Sequence, residues 1–195
     1  MEYTLTAVAI VLAYFLGNIS PSTLLARAAG KDIKKEGSGN AGTTNALRVL
    51  GKKAAVITLV IDIGKGVVAV LAGGLIAGHA AAMWCALAAF IGHIWPVVFR
   101  FKGGKGVAVA FGALLAVNWQ LALALLLIEA IVVLLTRMVS LGSIITAASC
   151  PVLCLFMDRE FLPFGCVMAA ILIFKHRANI GRLIRGEENK LNFKK

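Results

Sequence analysis

The sequence predicts an all-α integral membrane protein: a bundle of seven transmembrane helices, with the N-terminus outside and the C-terminus cytoplasmic. Three observations carry this reading. Hydrophobic residues make up 60% of the 195 residues and charged residues 15%, with a mean hydropathy of +0.90; a soluble domain is nearer half apolar and a quarter charged. The apolar residues fall into runs of membrane-crossing character. The basic residues are gathered into a few connections, and seven crossings place every such cluster on one face.

The first run, 3–26, has no basic stretch ahead of it and reads as a span, not a cleaved signal. Asn18-Ile19-Ser20 matches a glycosylation sequon but lies inside this span. The connection that follows carries Arg27, Lys31, Lys34, Lys35, Arg48, Lys52 and Lys53. The second span, 54–77, contains Asp62 and Lys65, which are i,i+3 neighbours. They are expected to pair as a structural unit, because an uncompensated charge in lipid is expensive. The third span, 80–99, holds His93 near its inner end, where a bond to a backbone carbonyl is expected, and Arg100, Lys102 and Lys105 follow it.

The fourth run, 106–117, is short against the ~20 residues of a straight crossing. It either starts earlier, at the glycines, or sits where the bilayer thins. The fifth, 120–136, contains Glu129, which has no evident partner in the sequence, and Arg137 follows it. The sixth, 140–157, opens with Ser140 and Ser143, for which helix capping is the plainer role. The seventh, 161–175, comes after Asp158-Arg159-Glu160, and seven more basic residues lie from Lys175 to Lys195. Positive clusters mark the cytoplasmic side; six or eight crossings would divide them between both sides. The chain thus reads as one transmembrane domain over 1–195.

The net charge of +11 belongs to this pattern. It points to orientation in the lipid bilayer and to anionic lipids or substrates, not to nucleic acid. Cys85, Cys150, Cys154 and Cys166 lie in apolar runs without ligand spacing, so they read as packing residues, and no metal or cofactor is expected.

Three polar segments remain, at 27–53, 93–106 and 175–195. The first contains GSGNAGTTNALR, Gly37 to Arg48. Its glycines allow backbone N–H groups to converge on an anion, Ser38, Asn40, Thr43, Thr44 and Asn45 supply polar side chains, and Arg48 adds a charged fork. A short helix from Ala46 to Leu50, capped by Thr43 or Thr44, would add its N-terminus. The plainer alternative is a turn. Gly37, Gly39 and Gly42 with Asp62 mimic a dinucleotide fingerprint, but the flanks lack the required strand and βαβ unit. In the second segment, Gly103-Gly104-Lys105-Gly106 sets a lysine in a glycine turn before a helix, a phosphate cradle in principle. It is not a nucleoside-triphosphate loop: Val107 stands where Ser or Thr would hold magnesium. A snorkelling lysine in a border turn is the alternative. In the third segment, His176, Asn179 and Leu183 share a face if the helix continues, and His176 is able to exchange a proton near neutral pH.

These segments, in this order in a seven-span chain, resemble the acyl-phosphate-dependent glycerol-3-phosphate acyltransferases of bacteria (the PlsY family). The matching pieces are GNISPSTLLARAAGKDIKKEGSGNAGTTNALRVLG, GHIWPVVFRFKGGKGVA and HRANIGRLIRGEE, together with IDIGKG at 61–66 and SLGS at 140–143. The resemblance implies transfer of a fatty acyl group from acyl phosphate to the 1-hydroxyl of glycerol 3-phosphate, at the cytoplasmic face of the bacterial inner membrane. It implies that Ser38 and Arg48, with Gly39, Asn40, Gly42, Thr43 and Asn45, bind and orient phosphate. Gly103, Gly104, Lys105 and Gly106 are implied to bind glycerol 3-phosphate, and His176 and Asn179 to orient the hydroxyl or stabilise the oxyanion. Ser143 is implied to contact a phosphate, and Glu187 to tie the tail to a cytoplasmic loop. The protein is expected to work as a monomer. Three competing readings are an organic-anion or phosphate transporter, a membrane scaffold and an alcohol phosphatidyltransferase. Clustering of the polar segments on one face weighs against the transporter. A scaffold does not account for three phosphate-like loops, and the phosphatidyltransferase needs an aspartate cluster that Asp32, Asp62 and Asp158 do not form.

Overall fold

The computed structural model describes residues 2–191, so Lys194 and Lys195 of the basic tail lie outside the described residues. Every regular element among them is helical, and the chain divides into two compact units, one ending at Val117 and the other beginning at Asn118.

The first unit contains α1 (Glu2–Gly17), α2 (Pro21–Ala28), α3 (Thr43–Leu50), α4 (Lys52–Ile94) and α5 (Val107–Val117). The expected continuous helix over 3–26 is interrupted between Gly17 and Pro21. Proline lacks the N–H a helix interior needs and disfavours helical backbone at the preceding residue; Ser20 accordingly sits at φ −116°, ψ 89°.

α4 is two arms. Ala77 and Gly78 leave helical geometry, with Gly78 at φ 82°, a conformation glycine adopts without strain. The arms fold back on each other, and a Cβ at Gly73 would meet Cys85 Sγ at 2.6 Å. In a straight helix those residues would stand ~18 Å apart. The second arm stops at Ile94, short of the expected 99, and Pro96 leads into a 3-10 turn at Val97–Phe99. Small residues line the contact among α1, α4 and α5: Ala9, Ala13, Ala69, Cys85, Ala88 and Ala89 are buried together with Val109. Such residues let helix backbones approach closely where lipid supplies no hydrophobic drive between helices.

The second unit contains α6 (Trp119–Thr136), α7 (Val139–Met157), α8 (Leu162–Lys175) and α9 (Arg177–Ile184). Asn118 caps α6 by accepting the Leu121 N–H at 3.0 Å, and its Nδ2 donates to Asp158 Oδ2 at 3.2 Å. Gly165 lets α8 lie against Cys154 and Cys150 of α7. The cysteines are free, and three of the four are buried packing residues.

The stretches Tyr3–Ala28, Lys52–Phe99, Trp119–Thr136 and Val139–Met157 are long and apolar enough to cross a membrane, and Val107–Val117 and Leu162–Lys175 are shorter apolar helices. Their outer surfaces are apolar: Val60, Leu75, Leu127, Leu134, Leu135 and Phe156 are all more than half exposed. Water does not favour such continuous greasy surface, whereas lipid does.

Candidate functional site

In the first unit the segment before α3 is organised by Asn45. Its Oδ1 accepts the Ser38 N–H at 2.8 Å, and its Nδ2 donates to the carbonyls of Ile33 and Glu36 at 3.1 and 3.0 Å. Asn45 is 1% exposed. It was expected as a phosphate ligand, but its amide is committed to folding the loop. α3 also begins earlier than expected. Gly42 is the N-cap residue, without a side-chain cap, so Thr43 and Thr44 lie inside the first turn. Thr43 Oγ1 is buried without a hydrogen-bond partner among the described residues. Ser38 and Arg48 are exposed, and Arg48 holds no ion-pair partner among the described residues.

The glycine turn 103–106 packs back on the end of α4. Gly103 N–H donates to the Ile94 carbonyl at 3.2 Å and Gly104 N–H to the His93 carbonyl at 3.1 Å. A side chain at 103 would overlap both carbonyls, and one at 104 would overlap the His93 ring and the Ala41 carbonyl. These two amides, expected in a phosphate cradle, therefore hold the turn itself. α5 opens directly afterwards at Val107, and first-turn N–H groups have no intrahelical acceptor. Lys34 Nζ donates to the Gly103 carbonyl at 2.7 Å, a link between the first two polar segments that sequence spacing does not reveal. Lys105 is half-buried.

Deeper in the same unit, Lys65 Nζ lies 2.7 Å from Asp62 Oδ1 and also donates to the Ile19 carbonyl at 2.5 Å, bracing the break between α1 and α2. His93 was expected to bond to a backbone carbonyl; its Nδ1 instead lies 2.8 Å from Lys65 Nζ.

In the second unit, α8 and α9 are separate helices that meet at His176. His176 Nδ1 lies 2.8 Å from the Leu172 carbonyl. A carbonyl only accepts, so Nδ1 carries the proton, and in the neutral ring Nε2 offers its lone pair. Glu188 gathers three donors: Asn179 Nδ2 at 2.8 Å and Ser140 Oγ at 2.9 Å on Oε1, and Arg182 Nε at 2.8 Å on Oε2. Burial opposes its ionisation, but these three hydrogen bonds outweigh that and hold the carboxyl below its usual range.

The expected tie through Glu187 is corrected to Glu188. Glu187 is 60% exposed and pairs with its neighbour Arg185. The reason is the end of α9, where Gly186 at φ 72° closes a cap in which Gly186 N–H meets the Leu183 carbonyl and Glu187 N–H meets Arg182. The chain turns back there, and the second glutamate, not the first, points inward. The glycine two residues ahead is the signal in the sequence that separates them.

Ser140 and Ser143 do not cap α7, whose N-cap residue is Met138. Ser143 Oγ lies 3.0 Å from both Glu129 Oε1 and the Val139 carbonyl, which gives Glu129 a partner one helix away.

Apolar-surfaced helices with polar groups concentrated in loops and at helix ends define a helical membrane protein. A family model described as "Glycerol-3-phosphate acyltransferase" matches residues 7–186, and the chain belongs to that family. It is 44% identical to the glycerol-3-phosphate acyltransferase of Clostridioides difficile (strain 630), over 95% of each protein. With that of Finegoldia magna it shares 42% identity over 98% of each. The solved structure of PlsY (YgiH), described as an integral membrane glycerol 3-phosphate acyltransferase in its glycerol 3-phosphate form, superposes with a TM-score of 0.91 at 36% identity, covering 96% of both chains.

Proposed function

We propose that this chain transfers a fatty acyl group from acyl phosphate to the 1-hydroxyl of glycerol 3-phosphate, giving 1-acylglycerol 3-phosphate and inorganic phosphate. The observation that carries this is near-full-length likeness, in sequence and fold, to proteins named for that acceptor. The match runs through both units and supports reading 1–195 as one transferase domain, which we take to work as a monomer. The proposed topology has seven crossings, with the two arms of α4 counted separately. The N-terminus is outside, and the polar segments face the cytoplasm at the inner membrane. The distribution of Lys and Arg supports it.

An acyl phosphate is a mixed anhydride with a good leaving group, so positioning and charge stabilisation supply most of the acceleration. Arg48 and Ser38 bind phosphate, with Gly39, Asn40, Gly42 and Thr43 shaping their loop and Asn45 bracing it from within. The turn at Gly103, Gly104, Lys105 and Gly106 holds glycerol 3-phosphate, with Lys105 as its charge, and Ser143 contacts a phosphate. Asn179, aimed by Glu188, orients the acceptor hydroxyl. That oxygen attacks the acyl carbonyl carbon and its proton passes to His176 Nε2. The bond from that carbon to the phosphate oxygen then breaks, releasing phosphate. The lone pair at Nε2, set by the Leu172 carbonyl, supports this role.

The test uses purified protein in detergent with palmitoyl phosphate and radiolabelled glycerol 3-phosphate, following lipid-soluble label. Label in lysophosphatidic acid, lost in folded Arg48→Ala, is the expected result. No product from folded protein, with palmitoyl-CoA also inert, overturns the reading.

A further inference from the structure

Three buried ionisable side chains of the first unit meet at one point. Lys65 Nζ stands 2.7 Å from Asp62 Oδ1 and 2.8 Å from His93 Nδ1, and His93 Nδ1 lies 3.5 Å from the same carboxylate oxygen. Asp62 and Lys65 belong to the first arm of α4 and His93 to the second. None is more than 6% exposed. Compensating a charge inside an apolar helix requires only the ion pair. The imidazole adds something the pair does not need, and its far edge shows what. A Cβ at Gly104 would overlap His93 Nε2 and the Ala41 carbonyl. His93 also accepts the Gly104 N–H through its own carbonyl at 3.1 Å. Side chain and backbone of one residue thus both abut the glycine turn.

An ammonium has only protons to give. Lys65 therefore donates to Nδ1, and the neutral ring keeps its own proton on Nε2, the edge facing Gly104. On the turn's other side, Lys34 holds the Gly103 carbonyl at 2.7 Å.

We propose that His93, oriented by Asp62 and Lys65, is a positioning residue for glycerol 3-phosphate: it fixes the conformation of the Gly103–Gly106 turn that carries Lys105. This rests on the reading that the turn holds the substrate's phosphate. His93 acts through the turn, so its effect falls on acceptor binding and not on the donor.

The test compares His93→Asn, His93→Gln and Lys105→Ala by steady-state kinetics in both substrates, with thermal melts. Asparagine replaces the Nδ1 edge but leaves the space beside Gly104 empty. It is expected to raise KM for glycerol 3-phosphate roughly tenfold, with kcat and KM for acyl phosphate within about twofold. Glutamine reaches the Nε2 position and is expected to recover most of that loss. An unchanged KM in the Asn variant overturns the proposal, as does a parallel fall in kcat, both affinities and melting temperature. If Lys105→Ala raises KM and His93→Asn does not, His93 has no positioning role although the turn does bind substrate. If neither moves KM, the assignment of the turn itself is wrong. A second measurement needs no change at position 93. The chain has three histidines, so 15N spectra assigned with His79→Gln and His176→Gln isolate the His93 ring. An Nε2–H tautomer whose signal shifts on adding glycerol 3-phosphate is expected; a fixed signal, or a proton on Nδ1, overturns the proposal.

Discussion

Asn179 donates from Nδ2 to Glu188 Oε1 at 2.8 Å, so an amide on α9 is aimed by a carboxylate that lies beyond the helix end. A carboxylate only accepts, which selects the amide nitrogen and fixes which way Asn179 faces. The same carboxylate is held ionised by Ser140 and Arg182. Its stability contribution therefore has a definite sign. The folded value lies below the ordinary 4.5, so the contribution is fully present above the unfolded value and is lost as pH falls through the folded one. Glu188→Gln should lower stability by about 2 kcal/mol near neutral pH, the scale of a charged hydrogen bond left unmade. Melting curves of parent and variant should converge as pH drops below the ordinary carboxylate range. A gap that stays constant down to strongly acid pH would contradict this. Glu187→Ala, which removes an exposed pair, should stay within about 0.5 kcal/mol of the parent.

His176 is buried at the junction of α8 and α9, with its Nδ1 proton directed at the Leu172 carbonyl. If its Nε2 accepts the hydroxyl proton, His176→Ala should lower kcat by roughly 10²–10⁴-fold while leaving most of the affinity for glycerol 3-phosphate. A folded His176→Ala enzyme with near-normal kcat would move the proton acceptor to a substrate phosphate. His176→Gln separates packing from chemistry: it fills much of the space but has no lone pair on nitrogen, so its kcat should stay low even where its melting temperature recovers.

The helices were largely legible because hydropathy and charge placement constrain them jointly. A break between 77 and 80 was expected from the two apolar runs 54–77 and 80–99, and helical geometry is lost at Ala77 and Gly78. The break at Pro21 was missed because a hydropathy run does not register a lost N–H. At the polar segments, residue content was legible but allegiance was not. Asn45 in α3 and Ser38 in the loop before it are both small polar residues of one segment; whether an amide points inward to Ile33 and Glu36 or outward to a ligand is decided by tertiary folding. The Asp62–Lys65 spacing was visible on one helix, but His93 joins them from the other arm of α4, and linear spacing holds no record of that meeting.

The same cluster makes a distinctive stability prediction. Asp62 and Lys65 are each about 2% exposed as side chains. Removing one leaves the other buried without its counter-charge, which costs about 3–5 kcal/mol. Replacing both with apolar residues of similar volume removes the desolvation penalty along with the attraction. Lys65→Met should therefore be strongly destabilising, and Asp62→Leu/Lys65→Met should melt closer to the parent than either single variant. Recovery should be incomplete, because Lys65 also serves the Ile19 carbonyl at the α1–α2 break, and that carbonyl loses its donor in both Lys65 variants. Additive losses across the double-mutant cycle would show that the two charges do not compensate each other. Full recovery would show that the Ile19 bond contributes nothing measurable.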